Sequence, residues 1–179
     1  KQQFAIEFEC EFLGSVDTLI SAAKLKAMVY EKPVEENGKL KIYEKPYSGR
    51  DYIITVDVAR GISKDYSAFI VADITEFPYK IVATYRDNEI KPMLFPSIIE
   101  ETGKAYNNAY VLCEVNDIGD QVASILFYDL EYENLLMVAM RGRAGQIVGS
   151  GFSGVKTQLG VKMSQVTKKL GCSNLKTLV

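Results

Sequence analysis

Asp57 lies in the run Asp51-Tyr52-Ile53-Ile54-Thr55-Val56-Asp57-Val58-Ala59, and Glu114 in the run Tyr110-Val111-Leu112-Cys113-Glu114-Val115. Both runs read as core strands with an acid near one end, and the first is expected to be buried on both faces. An ionised carboxylate in such a place is costly unless something compensates it. Two acids near the ends of two core strands are an arrangement that holds hard metal ions through oxygen, which points to metal-assisted chemistry on phosphate. The plainer readings are a hydrogen-bonded strand-end aspartate and a glutamate paired with a nearby Lys or Arg. The chain has no histidine, which excludes His-based triads, Cys/His zinc sites and an imidazole general base.

The 179 residues fit one α/β domain of ordinary size, and 47% hydrophobic with 25% charged residues marks a globular, soluble class. No apolar run approaches the ~20 residues of a membrane span, and the start, Lys1-Gln2-Gln3-Phe4, lacks the features of a signal peptide. Cys10, Cys113 and Cys172 are odd in number and far apart. That is no disulfide framework and suits a reducing compartment, with inert core thiols expected. Charge is uneven: residues 134–179 hold seven basic residues and no acid, leaving 14 basic against 23 acidic residues in 1–133. An acidic body with a basic tail is expected of a protein that docks a polyanion on one side.

The elements that must position these acids follow from periodicity and breakers. Phe4, Phe8 and Phe12 are expected to pack, and Ser21 to cap a short helix reaching residue 30. Residues 31–50, with Pro33, Gly38, Pro46 and Gly49, read as a loop around a strand at 40–43. Strands are predicted at 52–59, 67–74 and 80–86, joined by short hairpin connections. A helix over 92–106, a strand at 110–115, a helix over 118–130 capped by Asp117, and a strand at 135–140 come next. Residues 141–163 are Gly-rich and basic, a loop or long hairpin in which Arg141, Arg143, Lys156 and Lys162 are candidates for phosphate contacts. A final helix, 164–179, carries Lys168 and Lys169, also candidates for phosphate contacts, with Val166, Leu170, Leu175 and Leu178 on its apolar side. Asp65, in Lys64-Asp65-Tyr66, reads as a turn residue.

Three hairpin-linked strands followed by helix, strand, helix and strand is the order of a ribonuclease H-like mixed sheet flanked by helices. In it the fourth strand pairs in parallel with the first, bringing Asp57 and Glu114 side by side. Like charges that close call for a cation. The blocks Tyr52-Ile53-Ile54-Thr55-Val56-Asp57-Val58-Ala59-Arg60-Gly61, Lys64-Asp65-Tyr66-Ser67, Glu114-Val115-Asn116-Asp117 and Tyr128-Asp129-Leu130-Glu131-Tyr132-Glu133-Asn134 resemble the nuclease domain of the large terminase subunit of myovirus-type tailed bacteriophages. Phe8-Glu9-Cys10-Glu11-Phe12-Leu13-Gly14-Ser15 looks like the stretch joining that family's motor to its nuclease, and Lys168-Lys169-Leu170-Gly171-Cys172-Ser173 also fits.

The resemblance implies an endonuclease of RuvC-type fold that cuts concatemeric double-stranded viral DNA while a procapsid fills. It implies a carboxylate cluster binding Mg²⁺ or Mn²⁺, as a two-metal site. Asp57 matches the family's first-strand aspartate, Glu114 its fourth-strand glutamate, and Asp65 an accessory acid, so the expected metal ligands are Asp57, Glu114 and Asp65. The family's third catalytic aspartate lies in a later Asp-rich helix, so the nuclease core, 51–179 behind an N-terminal connector and helix at 1–50, is expected to be truncated at its C-terminal side. No Walker A motif is present, since the run from Gly149 to Gly154 lacks the Gly-Lys-Ser/Thr ending. No ATP site is expected here. Expected partners are double-stranded DNA, the terminase ATPase domain of the same full-length protein, the portal and the small terminase subunit. The expected place is the host cytoplasm, docked on the procapsid, with no membrane. Two rivals remain: a non-catalytic DNA-binding or assembly module with this fold, and an actin-like ATPase lobe, for which the chain is short and lacks the adenosine-binding Gly-Gly pattern.

Overall fold

The three central strands form where short apolar, β-branched runs are bounded by turn residues. In a computed structural model that describes residues 19–62, 65–139, 147–148 and 157–178, the order is α1 (Ala22–Ala27), β1 (Glu35–Asn37), β2 (Leu40–Ile42), β3 (Tyr52–Asp57), β4 (Ser67–Asp73), β5 (Lys80–Asp87), α2 (Phe95–Ala105), β6 (Tyr110–Cys113), α3 (Gly119–Ser124), β7 (Met137–Ala139), β8 (Ile147–Val148), β9 (Thr157–Leu159) and α4 (Gln165–Leu178). The chain divides into two units, residues 1–31 with 165–179, and residues 32–164.

The larger unit is built on a six-stranded sheet ordered β1-β2-β5-β4-β3-β6. Every neighbouring pair is antiparallel except β3 and β6, which run parallel with Ile53 opposite Tyr110 and Val56 opposite Cys113. The core lies on one face of this sheet. Ile54, Val56, Phe69, Val71, Val111 and Cys113 are all buried there with Phe95, Ile99, Val122 and Leu126. Phe69 stacks on Tyr85 at 5.1 Å and on Phe95 at 6.0 Å. That trio ties the start of α2 to the sheet, each pair adding about 0.5–1.5 kcal/mol beyond burial.

The expectation that β3 is buried on both faces is overturned. Tyr52, Ile54 and Val56 are buried, whereas Thr55 and Asp57 are exposed. Side chains alternate across the sheet, and among the described residues only one face is covered by the core. The apolar run therefore reflects one packed face and a half-open one, and Asp57 keeps its carboxylate in water.

The helix predicted at 118–130 forms as α3 followed by a π turn, Ile125–Asp129, in which the Leu130 N–H reaches the Ile125 carbonyl. The strand predicted at 135–140 is split. Leu135 bridges in parallel to Val111 beside β6, while Met137–Ala139 leaves to centre a three-stranded sheet ordered β8-β7-β9. The chain then returns to β6: Val161 donates to the Cys113 carbonyl at 2.8 Å and accepts from the Val115 N–H at 3.0 Å.

In the smaller unit, Ser21 caps α1 as expected, its hydroxyl accepting from the Lys24 N–H at 3.3 Å. The final helix forms as α4 with Val166, Leu170, Leu175 and Leu178 exposed. No helix of the described residues is long and apolar enough to cross a membrane.

Candidate nuclease site

The β3–β6 register continues past the strand ends. The Glu114 N–H donates to the Val56 carbonyl at 2.9 Å. Asp57 and Glu114 are therefore the next facing residues, both on the open face. They line one shallow trough of about 390 Å³ with Thr55, Ala68, Ile70, Leu112, Val161 and Met163. Beneath them, burial pushes the Cys113 thiol up to about 12, and the charges of Glu114, Asp57 and Asp120 push the same way. Buried and held in the thiol form, Cys113 is poorly reactive.

Asp57 also lines a second cleft, of about 400 Å³, with Val58, Ala59, Arg60, Ile62, Asp65, Tyr66 and Asp117. Asp57 is the residue the two cavities share: Glu114 opens on one and Asp65 on the other. Among the described residues no three acids or cysteines converge closely enough to hold a metal ion.

The loops that carry these acids are pinned. After β3, the buried Ser67 hydroxyl accepts from the Ala59 N–H at 3.0 Å and donates to the Ala59 carbonyl at 3.2 Å. After β6, Gly119 presses against the Glu114 carbonyl and Gly160, at φ +77°, against the Cys113 carbonyl; any side chain at either would overlap backbone. Asn116 holds the returning chain, its amide donating to the Met163 carbonyl at 2.9 Å while its oxygen accepts from the Met163 N–H at 2.8 Å. Lys162, exposed, is thereby set beside the turn that follows Glu114.

Asp117 does not cap α3 as expected. The N-cap is Ile118, without a side-chain bond. Asp117 has φ +53° and binds Arg60 through both oxygens at 2.8 Å. The Arg60 guanidinium holds the Asp117 carboxyl below the usual range. Arg60, Asn116 and Ser67 were missed as site residues. A signal was available: Arg60 follows Asp57 by three residues, Asp117 follows Glu114 by three, and both pairs are separated by the offset that sets the parallel register.

Of the predicted DNA contacts, Lys162 is beside the site, Lys168 and Lys169 are exposed on α4 in the other unit, and Arg141, Arg143 and Lys156 lie outside the described residues. The donor chemistry of Asp57 and Glu114, hard carboxylate oxygens in adjacent positions open to solvent, fits a divalent cation of the Mg²⁺ type.

A mixed sheet with three antiparallel strands, a parallel fourth and acids at the junction defines a ribonuclease H-like nuclease fold. The family model for the terminase RNase H-like domain matches residues 54–179, and the chain belongs to that family. It is similar to the large terminase nuclease of thermophilic phage G20c, solved with bound cobalt: 25% identity and TM-score 0.57, over 82% of this chain and 63% of that one. The magnesium-bound structure of the G20c nuclease gives 22% identity and TM-score 0.62, over 92% and 71%. The zinc-bound one gives 25% and 0.56, over 82% and 69%. The chain thus spans about two thirds of the length of these solved nucleases.

Proposed function

We propose that this chain is the nuclease module of a phage DNA-packaging terminase, a metal-dependent endonuclease that cuts concatemeric double-stranded DNA. The observation that carries the reading is the apposition of Asp57 and Glu114 at the ends of β3 and β6, on the one face of the sheet that is open. Asp57 and Glu114 would hold Mg²⁺ or Mn²⁺ as a two-metal site, with Asp65 as a further ligand reached through the cleft it shares with Asp57. A bound divalent ion supplies a lowered water pKa and neutralises charge on the phosphate. The chain's own part is to hold the two carboxylates side by side on the open face. With no histidine in the sequence, no imidazole can take up a proton in the reaction. Lys162 beside the site, with Arg141, Arg143, Lys156, Lys168 and Lys169, would grip the DNA backbone without reading sequence, so binding should fall steeply with salt.

The partners in this reading are double-stranded DNA, the ATPase domain of the full-length protein, the portal and the small subunit, met on the procapsid in the host cytoplasm. The test is nicking of supercoiled plasmid with Mg²⁺ or Mn²⁺, beside Asp57→Asn and an EDTA control. Metal-dependent nicking that Asp57→Asn abolishes is expected. DNA binding without nicking would favour a non-catalytic assembly module, which the lack of a three-carboxylate group among the described residues also supports.

A further inference from the structure

Among the described residues lining the cleft beside Asp57, three are acids (Asp57, Asp65 and Asp117) and one is a cation, Arg60. In a site that takes a polyanion beside its own carboxylates, a fixed positive group stabilises charge on the phosphate in addition to metal ions. Resting on the nuclease reading above, we propose that Arg60 contacts the phosphate at the point of cleavage, and that Asp117 keeps its guanidinium aimed there and away from the metal-binding acids.

Three observations support this. Arg60 and Asp117 face each other at the strand register, so the guanidinium sits at the mouth of the site, one short loop beyond each acid. Asp117 takes the side of the guanidinium through Nε and one Nη2 hydrogen, which leaves the end-on Nη1 and Nη2 N–H pair to face two phosphate oxygens. Finally, both side chains are largely exposed, 66% and 60%. Exposed ion pairs contribute little to folding, so a pair this well formed in water is poorly explained as a structural brace. Without Asp117, Asp57 and Asp65 in the same cleft would compete for the guanidinium and lose oxygens that a metal needs. A second cation lies nearby, the Arg86 guanidinium 3.7 Å from the centre of the ring of Tyr66, which lines the cleft.

The test compares wild type, Arg60→Gln, Arg60→Lys, Asp117→Asn and the exchanged pair Arg60→Asp with Asp117→Arg. Readouts are urea midpoint, plasmid nicking, and the salt dependence of duplex binding in EDTA, which needs no metal. Loss of one phosphate contact should make the salt slope shallower by about one unit in Arg60→Gln, and kcat/KM should fall roughly 10²-fold. Arg60→Lys should restore the slope but not the rate, because an ammonium cannot make the paired bonds. Asp117→Asn should bind DNA at least as tightly as wild type. A wild-type slope in Arg60→Gln overturns the proposal. So does equal loss in Arg60→Gln and Asp117→Asn with rescue by the exchanged pair, the behaviour of a brace. If wild type neither binds nor cuts DNA, the nuclease reading fails and this proposal with it. If wild type cuts while Arg60→Gln is unchanged, only the role of Arg60 is lost.

Discussion

Gly119→Ala separates a helix effect from a site effect. Gly119 opens α3 and its φ is not in the left-handed region, so an alanine there is acceptable to the backbone. Helix propensity alone favours the change, by as much as about 1 kcal/mol. The surroundings oppose it: the new Cβ would overlap the Glu114 carbonyl oxygen and stand 3.0 Å from its carbon, with Val58 Cγ2 at 3.7 Å. Carbon atoms rest at about 3.5–4 Å, so the turn from Glu114 to Gly119 must open by about 1 Å. Overpacking of this kind costs about 1–3 kcal/mol, leaving a net loss of up to about 2 kcal/mol once propensity is counted. Urea unfolding should show it as a lower midpoint with an unchanged slope. Because the displaced carbonyl belongs to Glu114, nicking should fall about 10²-fold, the usual penalty for a 1 Å misplacement. A Gly119→Ala protein that is more stable than wild type and nicks at the same rate would show that the contact positions nothing.

Phe95→Ala should cost about 3–5 kcal/mol, since the ring is fully buried between Phe69 and Tyr85; urea unfolding with the slope preserved checks it, and a loss below 1 kcal/mol contradicts the packing described. Acid sensitivity should trace to Asp73. Burial raises its carboxyl pKa, but bonds from Arg50 and Thr75 outweigh this and hold it below the usual range. A depressed native pKa contributes stability above the unfolded value of about 3.9, lost as pH falls through the native value. Arg50→Met should therefore lower the urea midpoint at pH 7 and flatten its fall below pH 4; parallel pH profiles for the two proteins would rule this out.

The strands were legible as short apolar, β-branched runs bounded by turn residues, and the element order then placed Asp57 beside Glu114. What it obscured has physical causes. The unbroken apolar run at 52–56 looked doubly buried, because Ile53 and Thr55 are apolar or β-branched residues on a partly open face. Asp117 looked like a cap because aspartate before a helix usually is one; its partner is 57 residues away and visible only through the strand register. The strand at 135–140 was legible, but not its division between two sheets, since no local residue pattern announces that Val161 takes over the edge of β6 from Leu136.

That handover of an edge bears on how the protein behaves in crowded solution. An unpaired strand edge is a template on which a second molecule can add its own strand. Here the β6 flank of the sheet is capped twice, by the backbone around Leu135 and then by that around Val161, while the opposite flank ends in β1, three residues long with two glutamates. Neither margin of the sheet offers a long apolar ladder, so, among the described residues, neither margin gives a second molecule a long edge on which to add a strand.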